Sequence, residues 1–238
     1  MRLMSSSHPF LRFLLVLCGT FSSLSALADG MQPQSTIVIL DEADGETTME
    51  VTNTDGAAAL LYTQIQDVAD DTDTDIVVIA TPPVARVESG QVQLVRFILQ
   101  GAPLRTQRLK RVTFEGIGRV PQASGQAVVG IGVRQNLPLL LHPRGLARNN
   151  TPWTLLSWTL RDGKLTVVND SPYVIRLASQ VSLLPSMASA DLGRNYLLAG
   201  ETVHADVKGP VTDGDTAVRI KPASVYGFAV DQYDASLR

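Results

Sequence analysis

The chain is expected to be all-β, folded as two immunoglobulin-like β-sandwich domains. Three features lead there: a succession of short runs rich in β-branched residues, Pro-, Gly- or Asp-rich punctuation between them, and almost no apolar repeat of helical spacing. With 238 residues, 45% apolar and 18% charged, the chain can bury sizeable cores and lacks the composition of a disordered protein.

The first residues have the order of a secretory signal. Arg2 and Arg12 flank a short polar opening, an apolar run follows from Phe13 to Leu17, and small residues lead to Ala26-Leu27-Ala28. That run is too short to span a bilayer, so residues 1–28 are expected to be a cleaved signal peptide with the cut after Ala28. A lipidated Cys18 would want a small residue before it, and Leu17 stands there. With the signal goes the only cysteine, and with it any disulfide, thiol nucleophile or thiolate metal site. Removing Arg2 and Arg12 takes the balance from 20 basic against 23 acidic residues to 18 against 23, which argues against a nucleic-acid or anionic-membrane partner. No later stretch is long and apolar enough to span a membrane.

Strands are then expected in order. Ser35–Leu40 and Thr47–Asn53, bounded by the turn-forming Asp41-Glu42-Ala43-Asp44-Gly45, read as a hairpin. Ala59–Ile65, Asp75–Ala80, Gln91–Leu99, Leu109–Phe114 and Ala127–Leu141 follow, and together these runs make one sandwich. The acidic stretch Asp67–Asp75 reads as a solvated connection, because it lacks the Gly and terminal Glu of a calcium loop. A boundary falls at His142-Pro143-Arg144-Gly145, giving domains 29–143 and 144–238. The second domain is read from Trp153–Thr159, Lys164–Asn169, Val174–Leu184, Tyr196–Leu198, Thr202–Val207 and Thr216–Ile220. A cleft between two such domains is a common binding place.

Catalytic chemistry has no foothold. His8 leaves with the signal, and His142 and His204 stand far apart without metal-ligand spacing, so they read as junction or surface histidines. There is no Gly-x-Ser-x-Gly elbow, and Gly130-Ile131-Gly132 sits in a strand rather than opening a helix. Glu88 and Glu115 could serve a hydrolase only as a close pair, which their spacing does not support; Glu88 reads as an ion-pair residue for Arg86 or Arg96. The expectation is a protein without cofactor or metal, and not an enzyme.

The most informative stretch runs from Thr81-Pro82-Pro83 through Arg86, Glu88 and Ser89-Gly90 to Arg96, a proline-stiffened corner leading into a strand. It resembles the corresponding segment of the periplasmic chaperones of the chaperone–usher pilus pathway, the PapD-like proteins. Val51-Thr52-Asn53, Leu139–Pro143 and Asn169-Asp170-Ser171-Pro172-Tyr173 are similar to further motifs of that family and come in the same order, so the likeness spans nearly the whole mature chain.

The resemblance implies a boomerang of two domains in the periplasm, binding pilus or fimbrial subunits by donor-strand complementation and delivering them to an outer-membrane usher. The donated edge would be Ala127–Leu137, with Val129, Ile131 and Val133 alternating into the subunit. An exposed apolar edge is an aggregation hazard, and self-association through it would protect it when no subunit is present. The short connection Gly116–Gly125 suggests the class serving rod-like pili. Family members usually hold the subunit's terminal carboxylate with an Arg on the first strand and a Lys on the long edge strand. Here Ile37 and Pro138 stand at those positions, and His142 where an Arg is common, which leaves Arg134 and Asn136 as the candidate carboxylate anchors. The alternative is a general periplasmic binding or adhesion module of two sandwiches without strand donation.

Overall fold

A computed structural model describes residues 30–71, 75–118 and 132–238. The expected signal peptide with its cut after Ala28, Cys18, Val129 and Ile131 lie outside the described residues, as does most of the short connection up to Gly125.

The first domain contains β1 (Met31–Pro33), β2 (Val38–Asp41), β3 (Glu46–Asn53), β4 (Ala59–Asp67), β5 (Ile76–Thr81), β6 (Val84–Val87), β7 (Val92–Gly101), β8 (Arg108–Gly118) and β9 (Arg134–His142). They form a sheet in the order β1-β3-β7-β5 and a second in the order β2-β9-β8-β4-β6. Period-two patterning drives this: along β3, Met49, Val51 and Asn53 are buried while Glu46, Thr48 and Glu50 face solvent. Phe97 of β7 meets Phe114 of β8 edge to face across the sandwich, with ring centroids 6.4 Å apart.

The expected hairpin of Ser35–Leu40 with Thr47–Asn53 does not form. The chain turns at Asp41, whose carbonyl accepts the N–H of Asp44 and Gly45, but the turn carries it from one sheet to the other. β3 pairs with β1 and β7, while β2 pairs in parallel with β9. The turn forms where the Asp- and Gly-rich residues predict it, but the face each strand must bury decides its partner.

The second domain contains a 3-10 turn (Pro152–Leu155), then β10 (Ser157–Arg161), β11 (Lys164–Val168), β12 (Ile175–Arg176), β13 (Gln180–Leu184), β14 (Ser189–Asp191), β15 (Tyr196–Leu197), β16 (Thr202–Lys208), β17 (Ala217–Ile220) and β18 (Tyr233–Ser236). Seven strands join in the order β10-β11-β16-β14-β13-β17-β18, and β12 pairs with β15. Trp158, Leu165, Ile175 and Leu183 are buried at the centre of its core. Two expected strands are modified. Pro152 sits in the first turn of the 3-10 segment, where its missing N–H costs nothing, so Trp153 precedes the strand rather than opening it. Val174–Leu184 breaks into β12 and β13, because Leu177 and Ala178 bond to Asn195 and Lys221 in different segments. Among the described residues no helix is long and apolar enough to cross a membrane.

Candidate functional site

β9 is covered unequally along its two edges. β8 pairs with it antiparallel from Arg134 to Leu141, but β2 covers the opposite edge only from Leu139 to His142. Among the described residues no strand covers that edge over Arg134–Pro138. The cause is the first described segment, which pairs with β3 over Met31–Pro33 and reaches the other sheet only at Val38. The beginning of β9 therefore presents backbone N–H and C=O groups that can take another strand.

Burial along β9 assigns its faces. Leu139 and Leu141 lie in the first-domain core with Leu137 packed against it, whereas Leu140 joins Ile37, Leu109 and Val174 on the other side. The strand period then puts Val133 and Gln135 on the core side and Arg134, Asn136 and Pro138 on the cleft side. Val133 is 38% exposed, at the point where the core-side row leaves the domain's own core. Gly30 is its neighbour, since a Cβ added there would lie 3.7 Å from the Val133 Cβ.

The cleft-facing surface of this sheet is a set of cross-strand rows. Tyr62, Glu115 and Arg134 form one; Gln64, Thr113 and Asn136 the next; Gln66, Arg111 and Pro138 the third. Arg134 Nε donates to Glu115 Oε2 at 2.8 Å, so the nearest basic residue on the strand is engaged by a neighbouring acid on the exposed sheet face. Asn136 is engaged too. Its Oδ1 accepts from Arg111 Nε at 2.8 Å and its carbonyl from Arg111 Nη2 at 2.7 Å.

Below these rows the two domains lock together. Ile37, Val68, Leu109, Leu140 and Val174 form a buried cluster with Ile39, Tyr196 and Leu198 against it. Of the acidic stretch read as a solvated connection, Asp67 pairs with Lys110 and Asp71 with Arg108, while Asp70 reaches the second domain, accepting from Arg194 at 2.6 Å and from the Tyr196 hydroxyl at 3.2 Å. Burial pushes the Tyr196 hydroxyl up, with the Asp70 charge adding to it. His142 is the expected junction histidine, buried beside Gln107, while His204 bonds to Thr166 on a strand surface. Glu88 pairs with Arg86, and Arg96 turns instead to Glu46. Glu88 and Glu115, each held by its own arginine, make no paired acid site.

Ile37 and Pro138 are both buried at the cleft floor. Two cations that sequence reasoning passed over lie here: Arg111 on β8, and Arg176, opposite Tyr196 in the β12–β15 pair. Burial draws both guanidinium groups below their ordinary value; the Arg111 charge lowers Arg176 further, while Tyr196 works the other way on Arg111. Arg111 shares the parity of Leu109 and Thr113, a signal that was available. Arg176 sits in a two-residue strand inside what looked like one long run, so its direction was not legible.

The chain has known relatives. Residues 30–147 match the family model described as pili and flagellar-assembly chaperone, PapD N-terminal domain. Over 219 residues the chain is 38% identical to the uncharacterized fimbrial chaperone YhcA of Escherichia coli K12, covering 91% of this chain and 95% of the relative. It is 30% identical over 154 residues to the chaperone protein FimB/FhaD of Bordetella pertussis, covering 60% and 63%. In fold it is similar to a chain of the Salmonella enterica complex of SafA pilin with the SafB chaperone, with TM-score 0.71 at 16% identity over 90% of this chain and 99% of that one. The Escherichia coli chaperone DraB gives TM-score 0.67 at 21% identity over 88% and 97%.

Proposed function

The chain belongs to the fimbrial and pilus-assembly chaperones, and from that premise we propose that it holds pilus subunits in the periplasm by lending them the uncovered edge of β9. The observation that carries this reading is the bare edge at Arg134–Pro138, bounded by β8 on one side and by the start of β2 beyond it. A subunit strand pairing there would satisfy these backbone groups, and the core-side row continued by Val133 would enter the subunit's unfilled groove. Val129 and Ile131, outside the described residues, stand at the same two-residue spacing in the sequence. Each Val or Ile buried in this way contributes on the order of 1.5–3 kcal/mol. The work is binding, without covalent chemistry, cofactor or metal.

Residues 1–28 serve as the export signal, residues 29–143 and 144–238 as the two domains, and delivery is to an outer-membrane usher. When no subunit is bound, the reading has two copies pair through the same edge and so cover it. The test is co-expression with a pilin subunit and purification from the periplasm. Wild-type protein should bring the pilin with it, and Val133→Glu should lose it while remaining folded, because Val133 is already partly exposed. Equal pilin recovery with Val133→Glu would contradict the docking row.

A further inference from the structure

The outer strands of the first domain are guarded unequally. β1 is short and ends in Pro33, and β6, at the edge of the other sheet, carries Arg86. Shortness, proline and charge are the usual protections of a sheet edge. β5 has none of them: it reads Ile76-Val77-Val78-Ile79-Ala80-Thr81 and pairs with β7 in unbroken register. Among the described residues no strand pairs with its other edge. Both of its faces are apolar as well. Ile76 and Val78 belong to the first-domain core, while Val77 and Ile79 point outward, 50% and 40% exposed, with Ile98 opposite Ile79. A strand apolar on both faces has the pattern of one covered on both.

Two backbone bonds fix which groups of β5 face the bare edge. The Ala102 N–H donates to the Asp75 carbonyl at 3.3 Å, so Asp75, Val77 and Ile79 turn their backbone groups toward β7. On the far side of β7, the Leu99 N–H donates to the Gly45 carbonyl at 2.9 Å, which turns Leu99 toward β3 and leaves Ile98 and Gln100 for β5. The two bonds agree in phase. Ile76, Val78 and Ala80 therefore direct their N–H and C=O groups away from the sheet.

This edge is complementary to itself. Two copies of β5 laid antiparallel, with Val78 on a twofold axis, bond Val78 to Val78 and Ile76 to Ala80 of the second copy. Between these pairs Val77 stands opposite Ile79 of the second copy on the outer face, where side chains approach most closely. Asp75 falls opposite Thr81, so no like charges meet along the strand. The next outward position is Pro82, which has no N–H, and the ladder stops there. Backbone phase, side-chain chemistry and charge all satisfy the self-matching that an isologous contact requires.

We propose that β5 is a homodimer edge: two copies of this chain join β5 to β5 about Val78, and their sheets β1-β3-β7-β5 become one continuous sheet. β5 lies against β4, and β1 against β9, so the bare edges of β5 and β9 sit on opposite flanks of the sandwich. A dimer formed through β5 leaves both β9 edges open, and each copy can hold its own subunit. Pairing through β9 would close them.

The experiment uses the chain from residue 29 onward carrying Val133→Glu, which blocks pairing through β9. Sedimentation from about 1 to about 300 μM should show a monomer–dimer equilibrium. Adding Val77→Glu and Ile79→Glu, both at exposed positions, should weaken the dimer at least about tenfold, because the register sets the new carboxylates opposite each other. Thermal melts establish that each variant is folded. Disulfide trapping reads the register independently, with Val77→Cys and Ile79→Cys made in a chain that lacks Cys18. Oxidised separately, each should stay largely uncrosslinked, since like positions are diagonal neighbours roughly 7–8 Å apart. An equimolar mixture should cross-link, since Val77 and Ile79 of the second copy are roughly 4.5–5.5 Å apart. A monomer at every concentration, a dimer that survives Val77→Glu with Ile79→Glu, or cross-linking of either cysteine variant alone equal to that of the mixture overturns the assignment. Each of these results leaves strand lending by β9 untouched.

Discussion

Gln107 Nε2 donates to His142 Nδ1 at 2.9 Å, both buried where the first domain meets the second. The Gln107 Oε1 accepts the Val174 N–H at 2.9 Å, and His142 Nε2 donates to the Leu146 carbonyl at 2.9 Å. An amide Nε2 only donates and a carbonyl only accepts, so His142 Nδ1 takes the accepting role and Nε2 the donating one. Gln107 also donates its own N–H to the Pro172 carbonyl at 2.8 Å, so one residue ties the last strands of the first domain to the second.

Gln107→Ala should therefore loosen the junction more than it unfolds either domain. It strands the Val174 N–H and His142 Nδ1, a loss on the order of 1–3 kcal/mol. Small-angle scattering should show a larger radius of gyration, and the urea transition should broaden or split. An unchanged scattering profile would show that the remaining junction contacts fix the domains without the Gln107 side chain.

Asn53 and Asn169 act as matching clamps, one in each domain. Asn53 Nδ2 donates to the carbonyls of Ala57 and Val87, and Asn169 Nδ2 to those of Tyr173 and Leu198. Replacing Asn53 by Ala leaves the buried Val87 carbonyl unmet, replacing Asn169 leaves two part-buried ones, and each should cost on the order of 1–3 kcal/mol. Both tryptophans, Trp153 and Trp158, belong to the second domain. Asn169→Ala should therefore shift the fluorescence transition directly, and Asn53→Ala should shift far-ultraviolet circular dichroism more than fluorescence. Equal shifts of both probes in both variants would mean that the two domains unfold as one unit.

These clamps also show what was legible in the sequence. Val-x-Asn and Asn-x-Ser-Pro-Tyr were readable as motifs because each asparagine closes a local turn: Asp55 and Ser171 bond back to Asn53 Oδ1 and Asn169 Oδ1. Strands with strict alternation, such as β3, were readable for the same local reason. The partner of β2 was not, since its choice of sheet depends on distant β9. Nor was the pairing of Arg134 with Glu115 or the approach of Arg111 to Arg176, because cross-strand register and domain docking are non-local.

Asp215 joins two loops at the far end of the second domain, accepting the N–H of Ser186 at 2.9 Å and of Thr212 at 2.8 Å. Desolvation pushes its carboxyl up, but the hydrogen bonds together outweigh it and hold the group below the ordinary carboxylate range. A folded-state value lower than the unfolded one contributes stability above the unfolded value, about 3.9, and that contribution is lost as pH falls through the folded value. Asp215→Asn should lower the urea midpoint at pH 7, with the difference closing toward pH 3. A difference that is constant with pH would show that the charge plays no part.

The most direct test of strand lending is hydrogen exchange of residues 132–137 in the free protein and in its complex with a pilin subunit. Free protein should exchange rapidly at the amides that face the bare edge of β9, and the complex should protect them while β8 and the second-domain core change little. A stable complex that leaves these amides as exposed as in the free protein would contradict strand lending by β9.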